Sequence, residues 1–340
     1  MSKNIVICHD GTWNKPDDSD AEICRETQET NVCKLYEICV NDSFTQVAYY
    51  DKGIGTEWWD KKIALLGFGL SENIRQAYQR LASQYEKGDK VFLFGFSRGA
   101  YSARSLAGLI YSCGLLPSDK ANEKDVYEIY EIYREGSAQA KQQCKSSNVF
   151  CPVEMLGVWD TVGALGFSGI FGNGDQAKYQ FHNVKLNPEV KAAYHALALD
   201  EERELFTPTL WDEYEKATGQ IVEQVWFAGV HCDIGGGYPE AYHSDIAFRW
   251  MLEKAVARGL KIRANHGYIF HPDLSQDIHD SYKKVFGSRK HRKVPATDER
   301  YAVNIHWSVL KKVKLLKNYR PAALTDPLDW NTLSPYRIVD

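Results

Sequence analysis

The sequence predicts an α/β fold with a mostly parallel central sheet flanked by helices. An uninterrupted apolar run, Val91 to Phe94, suits a strand that is covered on both faces, as in a parallel sheet. Helical spacing follows this run, from Arg98 to Cys113. Predicted strands and helices then alternate along the chain, and several of the strands end in polar residues.

The composition is that of one large domain. The chain has 340 residues, of which 44% are hydrophobic, enough for a sizeable core. A net charge of -4 gives no reason to expect nucleic acid as a partner. One basic run, Ser288 to Lys293, is either a solvated loop or a transient contact with anionic lipid headgroups at a membrane surface.

The eight cysteines indicate reduced thiols, because they lack both the spacing of zinc sites and the density of a disulfide scaffold. The N-terminus enters an apolar strand at once, without the features of a secretory signal. No apolar run reaches the length of about 18 residues that spans a bilayer. We therefore expect a soluble cytoplasmic protein, and signal-independent export remains open.

The first predicted strand, Asn4 to Cys8, runs into the polar turn His9-Asp10-Gly11-Thr12. Loops at the carboxyl ends of parallel strands line the site of an open α/β sheet, so this turn is a candidate for offering backbone N–H groups to a ligand. The alternative is a turn that uses Asp and Gly only for their backbone tolerance. A second strand, Thr45 to Asp51, leads into another glycine-bearing loop at Lys52 to Thr56.

Two helices are predicted around the central strand. An apolar stripe from Ser71 to Gly88 has the spacing of one helix face, and it precedes the strand that begins at Val91. After that strand and its helix, residues Asp125 to Glu135 form a helix that is apolar on much of its circumference. Either this helix packs in the core, or the segment 117–150 is a helical cap or lid beside an apolar site.

The second half of the chain continues the alternation. The predicted elements are a strand from Val153 to Asp160, a glycine-rich loop from Thr161 to Gly174, a helix from Pro188 to Asp200, a last clear strand from Ile221 to Val230, and a helix from Ser244 to Gly259. Residues 261–340 are expected to form a C-terminal extension packed on the core. Within it, Val303 to Val313 is either a strand or a helix.

Three residue types that catalysis uses lie at predicted strand ends in the order Ser97, Asp160, His231. A serine hydroxyl needs an imidazole to take its proton, and that imidazole needs a carboxylate to orient it. Ser97 lies in Gly-x-Ser-x-Gly, the nucleophile elbow, and the order is that of α/β-hydrolases. The sequence therefore predicts an α/β-hydrolase-like fold with Ser97 as nucleophile, His231 as base and Asp160 as acid.

An oxyanion hole completes such a site. The N–H of Arg98, directly after the serine, is the first candidate donor, and Gly11 or Thr12 is the second. Among the triad residues, Asp160 has a rival acid in Asp233, whose position close to His231 makes the geometry awkward. Two further histidines, His243 and His279, are weaker rivals for the base.

Six ordered motifs carry a family resemblance: His-Asp-Gly-Thr-Trp-Asn at 9–14, Tyr-Tyr-Asp-Lys-Gly-Ile-Gly-Thr at 49–56, the serine motif at 95–110, Gly-Val-Trp-Asp-Thr-Val-Gly at 157–163, Ala-Leu-Ala-Leu-Asp-Glu at 196–201, and Trp-Phe-Ala-Gly-Val-His-Cys-Asp-Ile-Gly-Gly-Gly-Tyr at 226–238. The sequence resembles the α/β-hydrolase family that includes the phospholipase effectors of bacterial type VI secretion. The resemblance implies a serine esterase that acts on acyl esters of glycerophospholipids, with Ser97, Asp160 and His231 matching the family's triad.

The predicted function is thus hydrolysis of lipid or small carboxylic esters through an acyl-enzyme, without a cofactor or metal. Two alternatives stay open. A metal-dependent phosphoesterase would draw its ligands from strand-end residues (His9, Asp10, Asp160, His231 and Asp233). A binding or scaffold protein would carry the same fold without activity. The sequence does not indicate an oligomeric state.

Overall fold

A computed structural model describes residues 2–11, 29–52, 70–162, 185–213, 216–282, 288–326 and 328–340. The predicted loops at Gly53 to Thr56 and at Gly163 to Gly174 lie outside these residues. Within the described ranges, no helix combines the length and the hydrophobicity that crossing a bilayer requires.

The core of the molecule is one eight-stranded sheet in which every adjacent pair of strands is parallel. Its strands are β1 Asn4–His9, β2 Gln46–Asp51, β3 Lys90–Phe96, β4 Val153–Trp159, β5 Ala192–Ala198, β6 Ile221–Phe227, β7 Asn304–His306 and β8 Arg337–Val339. Their spatial order is β2-β1-β3-β4-β5-β6-β7-β8. The chain thus moves outward from β1 to β2 and returns to β3 on the other side of β1, which makes the space between β1 and β3 the topological switch point.

Helices cover both faces of the sheet, so the predicted α/β architecture is confirmed. The helices are α1 Asn31–Ile38, α2 Leu70–Gln84, α3 Arg98–Cys113, α4 Glu123–Glu135, α5 Ala138–Ser147, α6 His231–Gly235, α7 Ser244–Ala257 and α8 Trp307–Leu315. At the N-terminus of several helices, a side chain caps the helix by accepting a backbone hydrogen bond. Thr30, for example, accepts a hydrogen bond from the N–H of Cys33 in the first turn of α1.

Alternate residues of the central strands enter two different hydrophobic clusters. Along β1, Ile5 and Ile7 join the cluster beneath α2, α3 and α4, whereas Val6 and Cys8 join the cluster beneath α1 and α7. Along β3, every residue after Lys90 is buried. The unbroken apolar run of β3 therefore reflects burial of both faces, as predicted.

The predicted helix from Pro188 to Asp200 is wrong. This segment contains β5, every residue of which is buried between β4 and β6. Alanine and leucine dominate the segment and favour a helix by intrinsic propensity. Pairing with two neighbouring strands and burial on both faces outweigh that preference.

The C-terminal segment extends the sheet beyond β6, which is not the last strand as the sequence suggested. Residues 303–313 supply both predicted alternatives, since β7 passes directly into α8. A separate hydrophobic cluster joins this segment to β6. It includes Trp226, Ile305 and Val309.

The helix α4 turns its apolar face into the core. Val126, Ile129, Tyr130 and Tyr133 are buried in the same cluster as α2 and α3. This packing accounts for four of the apolar residues of the helix, whereas Tyr127 is 49% exposed. Neither α1 nor α5 was predicted, because both are short, and α5 in addition buries no residue.

Candidate active site

The candidate nucleophile, Ser97, lies in a strained turn between β3 and α3, beside the topological switch point. Its backbone has φ 59° and ψ -121°, a conformation that non-glycine residues rarely adopt. The flanking glycines allow this turn. A Cβ on Gly95 would lie 2.4 Å from the carbonyl oxygen of Gly99, and a Cβ on Gly99 would lie 2.2 Å from the carbonyl oxygen of His9. The turn lifts the half-buried serine above the end of β3.

The structure brings the three predicted catalytic residues into one hydrogen-bonded chain. The Oγ of Ser97 lies 2.9 Å from Nε2 of His231, and Nδ1 of His231 lies 2.6 Å from Oδ2 of Asp160. Ser97 follows β3, Asp160 follows β4 and His231 begins α6 after β6. Because these strands are parallel, their carboxyl ends lie at the same edge of the sheet.

Asp160 is fully buried and accepts hydrogen bonds from two residues besides His231, namely Ala198 and Arg292. The N–H of Ala198 donates to its Oδ1 over 3.1 Å. Arg292 donates to both oxygens, over 2.7 and 2.9 Å. Burial by itself would raise the pKa of Asp160, but the charge of Arg292 and the hydrogen bonds from His231 and Arg292 hold it well below its usual range. The carboxylate is therefore ionised at every physiological pH.

The surroundings of His231 favour its neutral imidazole. Burial lowers its pKa below the ordinary value, and the hydrogen bond and charge of Asp160 oppose that shift only in part. The rings of Phe96 and Phe206 lie against the imidazole, with centroids 4.5 and 5.0 Å away. A neutral imidazole with Nδ1–H directed at Asp160 leaves the lone pair of Nε2 for the serine proton.

Arg292 and Glu201 belong to the site but were not predicted. Glu201 is buried, accepts a hydrogen bond from the N–H of His231 over 3.1 Å, and forms an ion pair with Arg203 at 2.8 Å. Arg292 was assigned to a basic run that was expected to be solvated or to touch lipid headgroups. For Arg292 that expectation is wrong, because its guanidinium is buried against Asp160. No local pattern marks the difference between Arg292 and its neighbours.

Two other cations of the basic run, Arg289 and Lys290, pair with carboxylates within the protein. Arg289 pairs with Glu202 at 2.5 Å and with Asp280 at 3.1 Å. Lys290 lies 3.2 Å from Glu204. These exposed pairs lower the positive charge that the run presents to a lipid surface.

The candidate oxyanion donors are placed as follows. Arg98 is the first residue of α3, where helical N–H groups point out of the helix end. The N–H of Gly11 donates to Oδ1 of Asp10 over 2.6 Å, so a substrate oxygen that uses this donor has to displace that carboxylate. Thr12 lies outside the described residues.

Asp10 joins β1, β2 and the start of α1. Besides Gly11, it accepts hydrogen bonds from the hydroxyls of Thr30 and Tyr50, each over 2.5 Å. The carboxylate is 3% exposed. This network ties the turn after β1 to β2 and to the residue that caps α1.

Replacing Asp10 by alanine is expected to lower the free energy of unfolding by about 3 kcal/mol, because buried donors lose their acceptor. Urea denaturation followed by far-UV circular dichroism measures the change. The control is Asp119→Ala, which alters an exposed aspartate and should change stability by less than about 0.5 kcal/mol. Equal stability of the two variants would contradict a structural role for Asp10.

The rival residues are paired with other groups. Oδ1 of Asp233 lies 2.6 Å from Nδ1 of His279, and Oδ2 of Asp233 accepts a hydrogen bond from the N–H of Val230 over 3.1 Å. Nε2 of His243 lies 3.1 Å from Nζ of Lys312. The structure thus pairs the rival acid with one rival base. Within the described part of the chain, the histidine that bonds to Ser97 is His231, and neither His243 nor His279 does so.

The strand-end residues of the metal alternative are not gathered into one ligand set. Asp160 and His231 contact each other, whereas Asp10 and Asp233 bind different partners. In the described part of the chain, one group has the spacing of metal ligands, namely Glu29, Cys33 and Glu37 at α1. That group contains none of the five residues named for the phosphoesterase.

Comparisons with known proteins identify the family of this chain and a yeast relative. The family model described as "T6SS, Phospholipase effector Tle1-like, catalytic domain" matches residues 3–254. An uncharacterized protein of Saccharomyces cerevisiae, YEL023C, is 30% identical over 233 residues, which are 60% of this chain and 32% of the yeast protein.

Two solved structures match parts of this chain. The crystal structure of an uncharacterized protein from Pseudomonas aeruginosa has a TM-score of 0.50 and 18% identity, over 81% of this chain and 49% of that one. The structure of the Tle1 effector bound to the VgrG spike of the type VI secretion system has a TM-score of 0.40 and 22% identity, over 70% and 51%. This chain therefore spans about a third of the yeast relative and about half of each solved chain.

Proposed function

The chain belongs to the family of Tle1-like catalytic domains of type VI secretion phospholipase effectors, and from that premise we propose that it is a serine esterase acting on lipid or phospholipid acyl esters. One observation carries the proposal. The hydrogen-bonded chain from Ser97 through His231 to Asp160 has the distances that proton transfer from a serine hydroxyl requires.

In the proposed reaction, Ser97 attacks the ester carbonyl while Nε2 of His231 takes the hydroxyl proton. The tetrahedral oxyanion is stabilised by backbone N–H donors, of which Arg98 and Gly11 are the candidates. His231 then gives its proton to the leaving alcohol, and an acyl-enzyme remains on Ser97. Water, activated by the same imidazole, releases the acid and restores the serine.

The elbow supports a covalent mechanism over the alternatives. The strained backbone at Ser97, which Gly95 and Gly99 make possible, is typical of a serine nucleophile. Neither metal-dependent hydrolysis nor a scaffold requires it. Cofactors are not needed for this chemistry.

A fluorophosphonate probe tests the proposal, because it reacts only with an activated serine. We expect stoichiometric labelling of the wild type, detected by intact mass spectrometry, and none of Ser97→Ala. The matched control, Ser118→Ala, changes an exposed serine and should label like the wild type. Hydrolysis that a chelator abolishes, that a divalent metal restores and that Ser97→Ala retains would overturn the esterase.

The same preparations test the substrate class. p-Nitrophenyl esters of increasing chain length, followed by vesicles of a defined phosphatidylcholine, should give rising kcat/KM with acyl length. If the protein reacts with the fluorophosphonate but hydrolyses only acetate and butyrate esters, the serine mechanism is retained and phospholipase activity is excluded.

A further inference from the structure

Arg292 reaches the candidate triad from outside the family-matched region. That region ends at residue 254, and Arg292 follows in the C-terminal segment. Its guanidinium donates to both oxygens of Asp160 and also to the backbone carbonyls of Ala198 and Phe206, over 2.6 and 2.5 Å. The contacts therefore fix one arginine to three separate parts of the chain.

A bidentate arginine has two effects on a triad carboxylate. It fixes the plane of the carboxylate, because two parallel N–H groups match two oxygens. It also partly neutralises the negative charge that would otherwise stabilise a protonated histidine. The first effect favours catalysis, and the second lets His231 stay unprotonated at lower pH.

Other charges face the same pair of residues. Glu201 and Arg203 lie near His231, on the side of its backbone N–H. His195, which is buried, and Cys232, which is partly buried, lie near Asp160. Glu201 and Arg203 pair with each other. Among the described residues, the cation in direct contact with Asp160 is the guanidinium of Arg292.

We propose that Arg292 is a positioning residue that orients Asp160 and sets the pH above which His231 acts as a base. The guanidinium of Arg292 bonds to Asp160, Ala198 and Phe206 rather than to Ser97, so it acts through the carboxylate of Asp160. This inference rests on the proposed serine mechanism for its kinetic part, but its effect on the titration of His231 does not depend on turnover.

The test compares Arg292→Met, Arg292→Lys and the wild type in the pH dependence of kcat/KM for p-nitrophenyl butyrate. Methionine keeps the volume and removes the charge. We expect kcat to fall by about 100-fold, because the acid loses its orientation, and the acid limb of the profile to move up by about one pH unit. Lysine keeps the charge without the planar fork, so the limb should stay in place while kcat falls by about 10-fold. KM should not change.

Arg289→Met is the matched control, since Arg289 lies in the same segment and pairs with Glu202 and Asp280 at the surface. It should leave both kcat and the limb unchanged. Thermal unfolding of each variant accompanies the kinetics. A loss of kcat with an unmoved limb in Arg292→Met, or no loss at all, would overturn the proposal.

A second measurement separates this inference from the proposed function. The imidazole of His231 is titrated by NMR in the inactive Ser97→Ala background, with and without Arg292→Met, and assigned by its loss in His231→Gln. A rise in its pKa on removal of Arg292 supports the inference even when the wild type fails to label with a fluorophosphonate. An unchanged titration contradicts it even when labelling succeeds.

Discussion

The double variant Ser97→Ala/His231→Gln is expected to retain as much activity as either single variant, each about 10⁶-fold below the wild type in kcat. Serine and histidine act as one unit, because the hydroxyl is a weak nucleophile until the imidazole at 2.9 Å takes its proton. Once either member is lost, removal of the other costs nothing more. The measurement is kcat on a p-nitrophenyl ester, with circular dichroism to show that each variant is folded.

His243→Gln supplies the control for this cycle. It alters a buried histidine that bonds to Lys312 rather than to Ser97, and its kcat should stay within about 3-fold of the wild type. Additive losses in the double variant would show that Ser97 and His231 contribute independently, and would contradict a triad.

Gly99→Ala is expected to lower the free energy of unfolding by about 4 kcal/mol or to prevent folding. A Cβ at this position would lie 2.2 Å from the carbonyl oxygen of His9 and 2.5 Å from that of Asp10. Both atoms are backbone, so neither can rotate away as a side chain can. The first turn of α3 would have to move off the end of β1, against the packing of the core.

Gly219→Ala separates this clash from a general effect of losing glycine. Gly219 has φ 80° and open space around its Cβ position, so the change should cost only about 1 kcal/mol of backbone strain. Urea denaturation of the two variants gives the comparison. Similar losses at both positions would show that close approach of α3 to β1 is not what requires Gly99.

The parts of the fold that the sequence predicts best are those with strong local signals. The helix after the serine begins and ends at the predicted residues, Arg98 and Cys113. It starts directly after the turn at Ser97, and Gly114, with φ 72°, follows its last residue. The candidate triad could be proposed because each member directly follows an apolar strand. Parallel strands carry such residues to one edge whatever the loops between them do.

The features that the sequence did not predict depend on contacts between residues distant in sequence. The segment that forms β5 has the local preference of a helix, and only the neighbouring strands make it a strand. The contact of Arg292 with Asp160 joins positions 132 residues apart. A guanidinium in a run of cations has the same local sequence whether it is solvated or buried, so this partner of the triad required the structure.

The late position of Arg292 in the chain has a consequence for synthesis. His231, the last of the three candidate catalytic residues in the chain, emerges from the ribosome 61 residues before Arg292, which at about 5–20 residues per second is a delay of about 3–12 s. During that interval Asp160 lacks its cation, and β7 and β8 do not yet extend the sheet. A nascent chain therefore lacks this contact until most of it has been made, so the distant contact that sequence analysis does not detect also forms late in synthesis.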